Sequence, residues 1–284
     1  MVSARRPASL AEGLSFLSEE SLIPMAGGTD LMAQGKRSAG LSPVFARPVL
    51  FVGHIEELRG VRAEGPRLRI GAACTFASLI ENVLVPAVFK EVAAGIAAPA
   101  IRNRGTVGGN VCNASPAGDT LPYLYALDAE LLLRSGAQAR IVPVRDFITG
   151  PGRTSREENE LCTEILLPLV DFNVCFYRKV GARRANACAK LSFLGLARVE
   201  GGAVDDVRVC FGAVAPTVVR SRAIEEGLAG LTTRQVRRRA SEVAGDYEPM
   251  IRPVDDRRSS ALYRKTVSLR LLEYFLCEVI GARD

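Results

Sequence analysis

The chain has 284 residues, 48% hydrophobic and 24% charged, with a net charge of +6. That is the balance of a soluble globular protein of two or three modules with a large buried interior, and it excludes disordered and fibrous classes. No apolar run reaches the ~18 residues that span a bilayer, and the opening MVSARRPASLAEGL lacks the apolar stretch of a secretory signal, so a cytoplasmic protein away from any membrane is expected. The positive charge is mostly arginine, gathered in TTRQVRRRASEV (232–243) and IRPVDDRRSS (251–260), and there is no tryptophan. A nucleic-acid surface pairs such charge with stacking aromatics or a known module; with neither present, these stretches read as solvated helix faces or as surface turned toward a partner subunit.

PASLAEGLSFLSEE opens the chain as a short amphipathic helix: Ser9 and Glu12 have capping-box spacing, and Leu10, Leu14 and Leu17 share one stripe. SLIPMAGGTDLMAQGKR then runs from an apolar strand into a Gly-Gly turn, with Asp30 placed to cap the helix after it. PVLFVGH (48–54) and RLRIGAACT (67–75) read as strands. FASLIENVLVPAVFKEVAAGI is helical and is divided in two by Pro86. IRNRGTVGGNVCNASPAGDT (101–120) follows, then a helical TLPYLYAL and strands at AELLLRS and ARIVPV. A glycine-rich joint, ITGPGRT (148–154), and a charged loop lead to a strand at CTEILLPL (162–169). From about residue 172 three long strands are followed by helices near 221–229, 232–244 and 259–281, the order of an α+β domain with helices on an antiparallel sheet. Leu262, Leu269, Leu272, Leu276 and Ile280 would form the core stripe of the last helix.

Seven cysteines are scattered with no CxxC, which is not the ligand spacing of zinc or of an iron–sulfur cluster and fits reduced, mostly buried thiols. The one histidine, His54, sits at a strand end and reads as structural; no GxSxG elbow supports a hydrolytic triad. The chemistry-bearing features are instead two glycine pairs, AGGTD (26–30) and TVGGN (106–110). Glycine admits positive φ and has no Cβ, so successive amides can turn toward one anion as a nest, with Thr29, Thr106 and Asn110 adding side-chain groups. A diphosphate suits such a pair, although either motif alone is also an ordinary tight turn. Neither is GxGxxG nor GxxxxGK[ST], which disfavours a Rossmann fold and a P-loop.

In order, MAGGTDLM, IRNRGTVGGNVCNASPAGDTLPYLYALDAELLL, ITGPGRT, RKVGARRANACAKLSFLGLAR and CFGAVAPTVVRSRAIEEGL resemble the FAD-binding subunit of the molybdenum hydroxylases, the xanthine dehydrogenase family, over essentially the whole chain. The resemblance implies an α+β protein with the FAD-binding fold of the vanillyl-alcohol-oxidase (PCMH) type. Its two α/β subdomains would be residues 1–55 and 56–170, followed by a C-terminal α+β domain at 171–284. It implies that Ile23, Pro24, Met25, Ala26, Gly27, Gly28, Thr29 and Asp30 wrap the FAD diphosphate and that Thr106, Val107, Gly108, Gly109 and Asn110 complete the cradle. Asp119 would hydrogen-bond polar groups of the cofactor, Leu166 would pack near its isoalloxazine or adenine side, and Lys179 and Lys190 would lie near the flavin. A lysine there would stabilise reduced, anionic flavin; either is equally explained as an exposed lysine.

No catalytic acid or base and no metal ligand is expected on this chain, because the flavin carries the chemistry. No cysteine-rich insertion for an extra iron–sulfur cluster is present, and His54 lies outside the matching motifs, so FAD is expected to be noncovalent. The resemblance places molybdopterin and two [2Fe–2S] centres on partner subunits, a large and a small one, in a heterotrimeric assembly. Electrons would pass through FAD to NAD+, in a xanthine dehydrogenase-like enzyme. The rival readings are a self-contained FAD oxidase of the same fold and a nucleotide-binding or interaction module without redox turnover.

Overall fold

The computed structural model describes residues 4–36, 38, 41–136, 138–183 and 185–282. They form two compact units, one running to Ala114 and including Asp128–Leu169, the other made of Ser115–Leu127 and the chain from Val170 onward.

The first unit opens with β1 (Ala4–Arg5) and α1 (Leu10–Glu19). Ser9 Oγ accepts from Glu12 N, while the Glu12 carboxylate accepts from Ala8 N, and Leu10, Leu14 and Leu17 are buried as the stripe requires. Next come β2 (Ile23–Met25), α2 (Leu31–Gln34) and β3 (Val49–Phe51), and the three strands form a parallel sheet with β3 in the centre. Leu22, Leu50, Val52, Ile55 and Leu58 join α1 in one core cluster. His54 Nε2 donates to Pro7 O at 2.8 Å, the structural role expected of it.

The chain continues through β4 (Val61–Glu64), β5 (Arg67–Gly71), α3 (Phe76–Glu81), α4 (Ala87–Ala94), α5 (Pro99–Arg102) and α6 (Val107–Asn113). Pro86 separates α3 from α4, as the sequence indicates. After α7 (Leu121–Ala126), which belongs to the second unit, come β6 (Glu130–Arg134), β7 (Ala139–Pro143), α8 (Val144–Phe147), β8 (Ile148–Gly150), β9 (Arg153–Thr154) and β10 (Leu161–Pro168). An antiparallel sheet of order β4-β5-β10-β6-β7 results. β10 is central, and every residue of it but Pro168 is buried. Its one carboxylate, Glu164, is held by Arg69 Nε at 2.7 Å and Arg62 Nη2 at 2.7 Å, which is what lets a charge sit in a central strand.

In the second unit β11 (Val174–Val180), β12 (Leu191–Glu200) and β13 (Ala203–Gly212) form an antiparallel sheet, followed by α9 (Arg222–Glu226), α10 (Thr233–Tyr247) and α11 (Ala261–Tyr274), the last running into a π-helical turn at Phe275–Ile280. Alternation along β12 gives the sheet two clothed faces. A Cβ on Gly195 would lie 2.7 Å from the Phe275 ring, on the side where Phe176, Phe193, Phe211 and Tyr247 also meet. Ser192, of opposite parity, faces Gly212, whose own Cβ would lie 3.0 Å from Pro122 of α7. The other end of α7 is tied down by two guanidiniums, Arg220 Nη1 to Tyr125 O at 2.6 Å and Arg208 Nη1 to Ala126 O at 2.8 Å.

Two expectations are corrected. Leu262 is 75% exposed, while Arg264 and Ser268 are buried. At ~100° per residue Leu262 points about 80° away from Leu272, so the stripe drifts off the core before it reaches the start of α11. The cysteines, expected to be mostly buried, are so at only three of the seven positions, Cys74, Cys162 and Cys210. Cys175 is exposed on edge strand β11 and Cys188 in the turn after it.

Candidate cofactor site

The first glycine turn leaves β2 and is held at its root by ladder bonds, Ile23 N to Pro48 O and Val52 N to Met25 O, both 2.9 Å. Gly28 has φ +72°, the left-handed region glycine occupies without penalty, and it reverses the chain into α2, where Met32 N donates to Gly28 O. Asp30 occupies the N-cap position but is itself helical and makes no side-chain capping bond, so the expected cap does not form. Among the described residues, nothing accepts from the amides of Gly27, Gly28, Thr29 and Asp30. Four consecutive free donors at a strand-to-helix turn form the concavity an anion takes.

The second turn is built differently. Thr106 caps α6 by accepting from Gly109 N at 3.1 Å; Val107 N donates to Cys74 O, Gly108 N to Ala72 O and Asn110 N to Thr106 O, each at 3.0 Å. Its amides are thus spent within the protein, unlike those of the first turn, so the expected cradle of free amides from both turns is not formed by the second. The two glycines also differ. Gly108 is bare because Ala72 presses on it, its Cβ site being 2.5 Å from that of Ala72, whereas a Cβ on Gly109 would meet only Thr106 Oγ1, at 2.8 Å. Gly109 therefore offers open backbone, and Gly108 seats the helix.

The two turns touch. A Cβ on Gly27 would stand 1.9 Å from the Arg104 carbonyl oxygen, and Gln34 Nε2 donates to Asn113 Oδ1 at 3.2 Å, tying α2 to α6. On the other side of the first turn, a Cβ on Gly53 would stand 2.7 Å from Ala26 O. Gly53, Arg104 and Gly105 thus shape the cradle, and the sequence reading assigned them no part in it. Their signal was present in the unexplained glycines of FVGH and NRGT.

In the second unit Lys179 Nζ donates to Asp119 Oδ2 at 2.6 Å, both side chains being largely buried. Asp119 Oδ1 is buried and, among the described residues, lacks a partner. Burial raises the carboxyl above its ordinary range, opposed by the adjacent Lys179 charge. Lys190 N donates to Val180 O at 2.7 Å, next to Lys179 in the chain, and its ammonium lies 5.1 Å from the ring centre of Tyr263 on α11. Leu166 is buried on β10, opposite Arg69 and Glu130. The structure therefore pairs Lys179 with Asp119 and gives Lys190 to an aromatic ring.

Residues 1–170 match the family of FAD-binding domains in molybdopterin dehydrogenases, and residues 176–279 match the C-terminal domain of carbon monoxide dehydrogenase flavoproteins. The chain belongs to this family: it is an oxidoreductase subunit of the molybdenum hydroxylases and carries their FAD-binding domain. It is 31% identical to the glyceraldehyde dehydrogenase medium chain of Sulfolobus acidocaldarius, covering 92% of each chain. It is 32% identical to the xanthine dehydrogenase FAD-binding subunit of Escherichia coli O157:H7, over 79% of this chain and 78% of that one. Among solved structures, a chain of the carbon monoxide dehydrogenase of Hydrogenophaga pseudoflava superposes with a TM-score of 0.88 at 28% identity, over 99% of this chain and 98% of that one. Among the described residues no helix is long and apolar enough to cross a membrane and no side-chain cluster would hold a metal ion.

Proposed function

We propose that the chain is the electron-transfer subunit of a xanthine dehydrogenase-like enzyme, holding FAD noncovalently and passing electrons from [2Fe–2S] centres of a small partner subunit to NAD+, with a molybdopterin-bearing large subunit performing the hydroxylation. The observation that carries the reading is the contact of Gly27 with Arg104 and Gly105, which joins the turn whose four amides are free among the described residues to the segment that leads into α6 and Gly109.

These residues fit the cofactor. The amides of Gly27, Gly28, Thr29 and Asp30 match the acceptor oxygens of a diphosphate, and at Gly109 a ligand can approach main chain without meeting a side chain. Among the described residues Asp119 Oδ1 is a buried acceptor that lacks a donor, which a hydroxyl or N–H of the cofactor would supply. FAD, when bound, accepts electrons singly or in pairs and gives them up as a hydride. Lys179 is charge-paired with Asp119, so it holds that carboxylate in place and contributes less bare positive charge than an unpaired lysine. Xanthine-type specificity draws its support from the GGNVCN and TGPG stretches, and relatives named for glyceraldehyde, carbon monoxide and nicotinate share the fold.

The test is anaerobic titration of the purified complex with NADH. Bleaching of a yellow, FAD-containing protein is expected, with the FAD released intact on denaturation. Protein that stays yellow under NADH yet bleaches with a purine would move the acceptor elsewhere. Turnover by this chain alone would favour the self-contained oxidase, and a colourless protein that takes up no FAD would favour a module without redox function.

A further inference from the structure

Asp119 stands midway between two contacts that fix the stretch carrying it. Before it, Pro116 O accepts from Ala213 N at 2.8 Å. After it, Pro122 packs against the end of β13, 3.0 Å from the Cβ site of Gly212. Between these contacts the chain makes a tight turn, Gly118 N donating to Ser115 O at 2.8 Å, and enters α7 with Leu121 N donating to Gly118 O. Two adjacent residues at the end of β13 thus clamp the stretch around Asp119, and both lie with it in the second unit.

Ala213 is the strained member of that clamp. Its φ is +62°, in the left-handed region that a residue with a Cβ occupies only where its surroundings hold it there. The holder is Arg264 on α11. Its Nη1 donates to Ala213 O at 3.3 Å and its Nη2 to Asp256 Oδ1 at 2.6 Å, whereas its Nε has no partner among the described residues. Asp256 is fixed in turn, accepting from Arg258 N at 2.7 Å and Ser259 N at 3.1 Å, and Ser260 caps the helix from which Arg264 projects. A guanidinium only 4% exposed carries a desolvation penalty, and an apolar residue of similar volume would fill the same space without it. An apolar residue could not bond the Ala213 carbonyl.

We propose that Arg264 is a positioning residue for the cofactor site. By holding the Ala213 carbonyl it keeps Ala213 left-handed and the Ala213 amide on Pro116 O, and so fixes the direction in which Asp119 presents Oδ1. That oxygen is buried and, among the described residues, unpartnered, so a small rotation of the 115–119 turn changes what it can accept. Arg264 acts through two backbone bonds and is assigned no contact with the cofactor. The inference rests on the reading of Asp119 as a cofactor contact.

The experiment measures FAD binding to the FAD-depleted complex by equilibrium dialysis, below the melting temperature of each variant. Arg264→Lys keeps a cation beside Asp256, but a single ammonium lacks the second arm that reaches Ala213 O. Its FAD affinity should fall about tenfold, the equivalent of one lost hydrogen bond. Ala213→Gly added to it should return most of that loss, because glycine takes the left-handed conformation unaided. A loss that glycine leaves untouched would overturn the route through Ala213, and unchanged affinity in Arg264→Lys alone would make Arg264 a residue of the fold only. Should Arg264→Lys not fold by itself, the double variant is compared with Ala213→Gly: equal affinity is expected, and a tenfold loss overturns the proposal. In a chain already carrying Asp119→Leu and Lys179→Met, Arg264→Lys should lower FAD affinity no further, and a second tenfold loss there would overturn the route through Asp119. Native affinity in the Asp119→Leu, Lys179→Met chain would overturn the reading of Asp119 itself, a failure separate from a lost glycine rescue.

Discussion

Gly27 and Arg104 share a space that admits no side chain: the Cβ that any other residue would place at 27 falls 1.9 Å from the Arg104 carbonyl oxygen. Backbone cannot give way as a flexible side chain does, so Gly27→Ala must part the two turns. We expect FAD affinity to fall at least about tenfold, with the far-ultraviolet circular dichroism unchanged. Equilibrium dialysis against FAD measures it, and full FAD occupancy in the variant would show that the turns need not touch.

Gly109→Val makes a different demand. Its Cβ site is crowded only by Thr106 Oγ1, at 2.8 Å, so the fold tolerates the change while the branched side chain fills the open backbone. The expected outcome is loss of FAD with little loss of stability, read as absorbance near the flavin band together with the melting temperature. Stoichiometric FAD would remove residues 106–110 from the site.

Asp119 and Lys179 test whether a buried pair serves the cofactor or only the fold. Lys179→Met leaves a buried carboxylate unpaired and should cost about 3 kcal/mol, much of it recovered in the double variant with Asp119→Leu. FAD affinity should stay low in that double variant, because leucine offers no acceptor in place of Asp119 Oδ1. If affinity returns together with stability, the pair is structural alone.

The two units differ in what their sequences disclose. Ser9 with Glu12, Pro86 and the near-unbroken apolar run of β10 are local signals, and each element lies where its signal places it. β1 and β4 carry no such signal. The two residues of β1 are a strand only through their parallel pairing with β3, and β4 is mostly exposed, held by its register with β5. The glycine pairs could be read from the chain because glycine is costly without a reason. The assignment of free donors to one turn and spent donors to the other could not, since it depends on which carbonyls, those of Ala72 and Cys74, come to lie under α6.

Acid should weaken the first unit through a traceable pair. Arg140 holds Glu160 below its ordinary carboxylate value by hydrogen bonding, with Glu157 N also donating to it. A lowered folded-state pKa contributes stability that is present above the unfolded value and is lost as pH falls through the folded one. The melting-temperature gap between the native chain and Arg140→Gln should therefore be constant above about pH 5 and close below about pH 4. Thermal melts across that range check it; a gap that is independent of pH would mean the pair acts by packing alone.

Residues 115–127 leave the first unit, supply α7 to the second, and hand the chain back at Asp128. The C-terminal family match at 176–279 omits that loan. A fragment cut at 170 would present the Ser192 side of its sheet uncovered and leave Arg208 and Arg220 without the carbonyls of Ala126 and Tyr125. Such a piece is destined for aggregation, however intact its own strands. A soluble C-terminal half has to bring 115–127 along, as a second peptide or through a permuted chain.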